Sequence, residues 1–517
     1  MTGILAAAAV TLWAVAALPG GAAEPLSAIP WLSRSIDPGA TPPPARPAGS
    51  PAAPEADTIT VTSLDDIRRD ATGLLPPGDS GFARDLWGPT DAFEAQSLIV
   101  AHRPRAAPEA LALFHRLLLA EADAPPGSDG DAGLLIARID RLLEMGALEE
   151  ASALLGISDP NTPDLFRRWF DTGLLLGRAE PPCEALRQNP ALSPTLPARV
   201  FCLARGGDWN AAEITLTLGE GVGSIPPDQE RLIARFLDPA IFEGEPDPAI
   251  PDPLTPLDFL LREAVGLPRP SGALPLAFLH ADLDVHAPMR VRIDAAERLT
   301  LANAIDPPVL FEAYRAGEPA ASGGAWDRAA AVQDLDAALE TGDPARVGAA
   351  VTAADSMLGA RGLRVAFASE LAGRLAAFDP ANLSAAARRV AFELLLLSDE
   401  PDAATRFADP GNPVSRALLA IAGSGNARLE GLDDLTRAAL EGLQTRDPVD
   451  AREVRLRAML DSGRQGRALI EALELLPLRG PADPAAFRAA LHVLNAAEQT
   501  AAARRIALQT LLLPDGN

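Results

Sequence analysis

Side chains able to carry chemistry are sparse in this chain, and each group of them reads as structural. His280-Ala281-Asp282-Leu283-Asp284-Val285-His286 has the residue types of a metal site. On a strand its polar side chains share one face; on a helix they pair as His280 with Asp284 and Asp282 with His286. Pro288 follows closely, so the stretch is expected to end a helix, with Asp side chains capping amides rather than holding an ion. Gly219-Glu220-Gly221-Val222-Gly223 has the glycines of a phosphate loop, but it follows a helical pattern, carries an acid and lacks the later glycine. It is read as a helix-ending linker. Asp123, Asp129 and Asp131 make an acidic loop whose spacing does not fit a calcium hand. His102, His115 and His492 lie on or beside helical segments, with no Ser or Cys in a nucleophile elbow. No residue is assigned a catalytic, cofactor-binding or metal-binding role, and the chain is read as not an enzyme.

Cys183 and Cys202 are the only two cysteines and fall in consecutive predicted hairpins. In an oxidising compartment a bridge between them would close a short loop and add ~3 kcal/mol. Two separate buried thiols are the alternative. Zinc is disfavoured, because two Cys without a nearby His leave a tetrahedral site incomplete.

Composition narrows the partners. The formal charge of −25 repels a phosphate backbone or an anionic membrane surface, so nucleic acid is excluded as a partner. All 45 basic residues are Arg, which removes Schiff-base chemistry and the lysine of a phosphate loop. Apolar residues make up 48% and aromatics only 4%, so the core must be built mainly from Ala, Leu and Val, small enough for helices to approach closely.

Residues Ile4 to Leu18 form an apolar run followed by Pro19-Gly20-Gly21-Ala22-Ala23, with small residues at the two positions a signal peptidase reads. Residues 1–23 are therefore expected to be a signal peptide cleaved after Ala23, giving a periplasmic or secreted protein with no stable membrane span after cleavage. Residues 24–57 read as a Pro/Ala-rich linker, densest in proline from Asp37 to Asp57. Residues 58–122 read as an N-terminal segment, mostly helical, opening with the short β-like run Thr58 to Thr62 and containing the structured loop Gly81 to Gly88.

The elements that organise the rest are helical hairpins. Turn glycines at Gly146, Gly177 and Gly207 recur at steps of roughly 30 residues, the size of one supersecondary unit that must stack on neighbours to bury its apolar face. Leu135, Ile139 and Leu142 share a face before Gly146, and Leu148, Ala151 and Leu155 share one after it. The template returns at Gly207 with Ala212 and at Gly463 with Ala468. After Gly177 it runs into Pro181-Pro182 in place of a second helix start. Asp-Pro pairs at Asp306-Pro307, Asp343-Pro344, Asp379-Pro380, Asp447-Pro448 and Asp483-Pro484 each predict a helix restart, Asp capping free amides and Pro occupying the first turn.

In the pairs Gly146/Ala151, Gly207/Ala212 and Gly463/Ala468 the chain resembles the tetratricopeptide family, where a turn glycine precedes a small packing residue by the same spacing. The resemblance implies an all-α fold: an α-solenoid of stacked helical hairpins, with residues 123–237 as a first helical-repeat region, 238–257 as a Pro-rich crossover and 258–517 as a second. The overall arrangement is similar to uncharacterised secreted alphaproteobacterial proteins, some labelled antifreeze glycopeptide-related. That label implies Ala-Ala-Thr repetition, which is absent here. The expected function is a non-catalytic scaffold or adaptor that binds other proteins through a helical-repeat groove, in envelope or motor assembly. The alternative is a peptidoglycan-active enzyme or regulator on a lytic-transglycosylase-like superhelix; Glu370 in Ala368-Ser369-Glu370-Leu371 reverses the Glu-Ser order such a site needs.

Overall fold

The computed structural model describes residues 29, 31–32, 69–103, 107–128, 132–193, 195–270, 273–320, 323–445, 447–476 and 482–513. The expected leader with its cleavage site at Ala23, the run Thr58 to Thr62, Asp129, Asp131 and most of the linker lie outside these residues. The fold is all-α. Among the described residues no strand forms, and an isolated β-bridge pairs Leu75 with Ala120.

The chain first forms α1 (Pro77–Ser80), α2 (Ala92–Ala101), α3 (Pro108–Leu119), α4 (Gly133–Met145) and α5 (Leu148–Ile157). Asp91 starts α2 by accepting a hydrogen bond from the Glu94 amide at 2.9 Å, satisfying one of the donors a helix start leaves free. The next six helices are α6 (Pro163–Leu175), α7 (Glu180–Gln188), α8 (Leu196–Arg205), α9 (Trp209–Gly221), α10 (Pro227–Leu237) and α11 (Pro256–Ala264). Pro181-Pro182 do not interrupt this series as the sequence reading expects: they occupy the first turn of α7, where the missing amide would have no partner anyway. Then follow α12 (Met289–Leu301), α13 (Pro307–Arg315), α14 (Ala325–Thr341), α15 (Pro344–Ala360), α16 (Arg364–Ala376) and α17 (Ala385–Leu397). The last group is α18 (Pro413–Ala422), α19 (Asp434–Gln444), α20 (Ala451–Asp461), α21 (Gln465–Leu473), α22 (Pro484–Ala496) and α23 (Thr500–Leu512).

The Asp-Pro rule holds at Asp343 and Asp483, whose carboxylates accept from the Ala345 and Ala485 amides; at Asp306 the pair restarts α13, but its carboxylate caps no amide. Asp379 caps a 3₁₀ turn instead of an α-helix. Asp447-Pro448 starts nothing; Asp450 caps α20 in its place.

Packing divides the described residues into a large unit and an appendage. Helices α6 to α11 bury their own core around Phe166, Phe170, Phe201 and Leu261, and α11 returns to pack on α6. The Pro-rich stretch 238–257 therefore lies inside the appendage, between α10 and α11, instead of joining two arrays. Arg262 donates to the Pro248 carbonyl at 3.0 Å and holds it there. The chain leaves the appendage after Leu267 and enters the 3₁₀ turn Leu276–Leu283, which packs on α4, α6 and α12.

From α12 to α19 successive helices are neighbours, and the first and last helices of the described residues then meet. Helix α21 packs on α2 and α3, and α23 packs on α3. The Glu109 amide donates to the Gln509 side chain at 2.7 Å across a sequence separation of 400. The Arg505 guanidinium grips the Glu109 carboxylate at 2.9 and 3.0 Å. The loop Gly81 to Gly88 is the receptor for this closure: Trp87, Phe82 and Leu86 are buried, and the Gly466 amide donates to the Leu86 carbonyl at 2.8 Å. A Cβ at Gly466 would stand 2.9 Å from the Trp87 ring, so only glycine lets α21 come this close. An open stack, in which each repeat touches only its neighbours, has no such contact.

Candidate functional site

Helices α14 and α15 are the longest pair in the fold, joined by Gly342 and Asp343, and they enclose a groove of about 540 Å³ along their outer side. The groove follows from helical periodicity. Ala330, Ala331, Asp334, Ala337 and Ala338 recur along one side of α14, and Arg346, Ala349, Ala350, Ala353 and Met357 along the facing side of α15. Methyl groups leave room that larger side chains would fill. Asp327 lies at one end of the groove and Arg346 toward the hairpin turn, so its rim is acidic at one end and basic at the other.

The hairpin is held from behind. Glu297 on α12 is fully buried and accepts from Arg328 at 2.7 and 2.8 Å, from Arg361 at 2.9 Å and from the Tyr314 hydroxyl at 2.8 Å. Arg328 sits near the start of α14 and Arg361 just past the end of α15, so one carboxylate fixes both free ends of the antiparallel pair. Burial, and then the neighbouring Glu297 carboxylate, push the Tyr314 phenol far up, keeping it a hydrogen-bond donor. Gly348 permits the other side of α15 to meet α17 closely, since its Cβ would lie 3.0 Å from that of Ala387. On the flank of α14, Asp336 binds Arg315 and Arg374; burial alone would raise its pKa, but the two guanidinium groups hold it low.

The residues singled out by sequence fall elsewhere. Cys183 and Cys202 form a disulfide linking α7 to α8, with Cα atoms 5.1 Å apart. Gly146, Gly207 and Gly463 all have positive φ at helix ends, and Ala151, Ala212 and Ala468 are fully buried on the helices that follow. The three pairs lie in separate hairpins, α4/α5, α8/α9 and α20/α21, and do not converge on a common surface. Gly146 is pressed against Leu276 and Leu299, and the His280 ring nitrogen lies 2.6 Å from its carbonyl oxygen. Asp282 takes Arg269 as its partner, and Asp284 accepts from the His286 amide at 2.7 Å. The cluster thus serves turns and an ion pair. Among the described residues no group of His, Cys, Asp or Glu is arranged to hold a metal.

Gly219 to Gly221 end α9, and Gly223 follows with positive φ. Asp123 pairs with Arg84 at 3.7 Å. His102 lies tilted against Phe114, ring centroids 4.5 Å apart, and His115 is buried on α3; burial lowers both to about 4, assisted at His102 by Arg141 and Arg103. His492 faces the Thr445 carbonyl at 3.1 Å. Glu370 is bound by Arg315 at 2.7 Å on the surface of α16. The groove itself was not singled out by sequence; its signal is the run of alanines at three- and four-residue steps in both helices, which also describes an ordinary packing face.

Comparison of the chain with protein-family models, with curated proteins and with solved structures returns no match. No helix among the described residues is long and apolar enough to cross a membrane.

Proposed function

We propose that this protein is a non-catalytic scaffold of the periplasm or extracellular space that binds a helical segment of another protein in the α14/α15 groove. The observation that carries this reading is the methyl-lined groove of about 540 Å³ on a hairpin anchored at both free ends by Glu297. Small residues let an incoming helix approach to ~8 Å between axes, which maximises dispersion contact along a shared ridge. Asp327 and Asp334 favour a basic residue on the guest near the open end, and Arg346 an acidic one near the turn. The disulfide is compatible with an oxidising compartment. The tetratricopeptide-like spacing at Gly146/Ala151, Gly207/Ala212 and Gly463/Ala468 supports the same scaffold reading by analogy of architecture.

The test is a crosslinking pull-down from envelope fractions with a carboxylate- or Arg-directed reagent, since the chain has no Lys. It compares the wild-type chain with Ala353→Trp, which fills the groove from its exposed side. A stoichiometric partner captured by the first and lost from the second is the expected result. Equal recovery by both variants, or shortening of co-purified cell-wall glycan, overturns the reading.

A further inference from the structure

Helix α20 stands out on an acidic molecule. Residues 451–473, which form α20, its turn and α21, hold five Arg against the carboxylates of Glu453, Asp461 and Glu471, whereas the whole chain carries a formal charge of −25. The helix seats Glu453 and Leu456 in the interior, 1% and 0% exposed. At 3.6 residues per turn Ala451, Val454 and Ala458 fall on the opposite side, and all three are exposed. Val454 is 53% exposed, and Val449, just ahead of the helix, 58%. The helix is pinned in this register. The Glu453 carboxylate accepts from Arg488 at 2.9 Å and from the Val449 amide at 2.6 Å, and Asp450 takes Arg488 at 3.1 Å. Rolling α20 to bury Val454 would break a buried ion pair.

The same spacing puts Arg452 and Arg455 along one edge of the apolar stripe and Arg457 along the other. An apolar seam with charge on both edges is the pattern by which one helix selects another. The edge guanidinium groups have replaceable partners. Arg455 meets Glu471 at 2.7 Å, Arg457 meets Asp461 at 3.1 Å within the same helix, and Arg452 lies 4.0 Å from Asp483. Asp461 and Asp483 are largely exposed, and Glu471 also serves Arg467 at 2.9 Å. Ion pairs open to water contribute little, so carboxylates of a guest can take their place at small cost. We propose that this face of α20 docks an acidic amphipathic helix of a partner protein, with aliphatic residues along its seam and Asp or Glu on both flanks. The short side chains of Ala451, Val454 and Ala458 leave room for larger ones on the guest. A second copy of the same face would set Arg against Arg, so charge complementarity selects a different partner. The face shares no residue with the α14/α15 groove, so the two can fail separately.

The experiment titrates the purified full chain into a fluorescent model helix of about 18 residues, with Leu and Ala along its seam and Glu on both flanks. An acidic chain repels such a probe wherever its surface is not basic, so the expected result is saturable binding below about 1 mM. That binding should weaken about tenfold in Arg455→Gln with Arg457→Gln, and about tenfold in Val454→Gln with Ala458→Gln. Ala353→Trp, which closes the α14/α15 groove, should leave it unchanged. The substituted side chains reach solvent and Gln is a good helix former, so both pairs keep the fold, which circular dichroism checks. No saturable binding, or wild-type affinity in either Gln pair, overturns the proposal. Loss in Ala353→Trp alone also overturns it, by putting the probe in the α14/α15 groove. Self-association of the chain that both Gln pairs abolish would put a second copy on this face and overturn it as well.

Discussion

The large unit and the appendage solve the same problem by different means. The large unit has a core rich in alanine and leucine, and it ties residues 400 apart in sequence through Glu109 and Gln509. The appendage spans only α6 to α11, packs phenylalanines against one another, and carries the disulfide. Small side chains give little transfer energy each, so the large unit depends on burying many of them and on the contacts that close its circuit. The appendage closes over a short span instead, α11 returning onto α6. A covalent staple between α7 and α8 is added to that closure.

The sharpest way to break this contrast is to open the circuit. Trp87→Ala removes the ring that Gly466 packs against and is expected to cost about 3–5 kcal/mol, lowering the thermal midpoint and raising hydrogen exchange in α2, α3, α21 and α23 together. Exchange confined to the Gly81–Gly88 loop would show that closure contributes nothing cooperative. Next in size is the staple. Cys183→Ala with Cys202→Ala should cost ~2–4 kcal/mol, and limited proteolysis should then cut within α6 to α11 before any helix of the large unit.

Acid should separate the two regions without mutation. His102 and His115 are held neutral in the large unit, with pKa values of about 4 against an ordinary 6.5, while residues 163–267 contain no His. Below pH 6.5 the unfolded chain binds protons that the folded chain refuses. Stability is thus retained above that value and lost, by about 1.4 kcal/mol per pH unit for each His, as pH falls toward 4. His115→Gln should flatten that slope in a pH series of urea melts; an unchanged slope would remove burial of this ring as its source. The smallest effect belongs to the appendage surface. Leu218→Gln on α9, where Leu218 is 66% exposed, should move stability by no more than ~0.5 kcal/mol, whatever it does to solubility.

What was legible in the sequence was what is local. Turn glycines, the small residue after each of them, and Asp as a helix cap act within a few positions, so Gly146, Asp343 and Asp483 can be read without knowing their neighbours in space. Pro181-Pro182 misled because a proline pair looks like a break unless the first turn of a helix is considered. Circuit closure left no periodic mark, since Glu109 and Gln509 are unremarkable residues of two amphipathic helices. Glu297 was equally silent: nothing in its own helix announces that three side chains from α13, α14 and the end of α15 converge on it. Trp31, which meets Phe278 edge to face, did leave a sign as the one aromatic residue of the Pro/Ala-rich stretch 24–57, but the composition around it outweighed it.

The contact between α3 and α23 also sets a schedule. During synthesis the helices that receive the C-terminus are made first, and their partner follows some 400 residues later. At about 5–20 residues per second that is a wait of roughly 20–80 seconds, spent with an apolar face of α3 uncovered. Whatever conducts this chain through its biogenesis must shield that face for the whole interval, and a chain stopped short of α21 would never be released from the need.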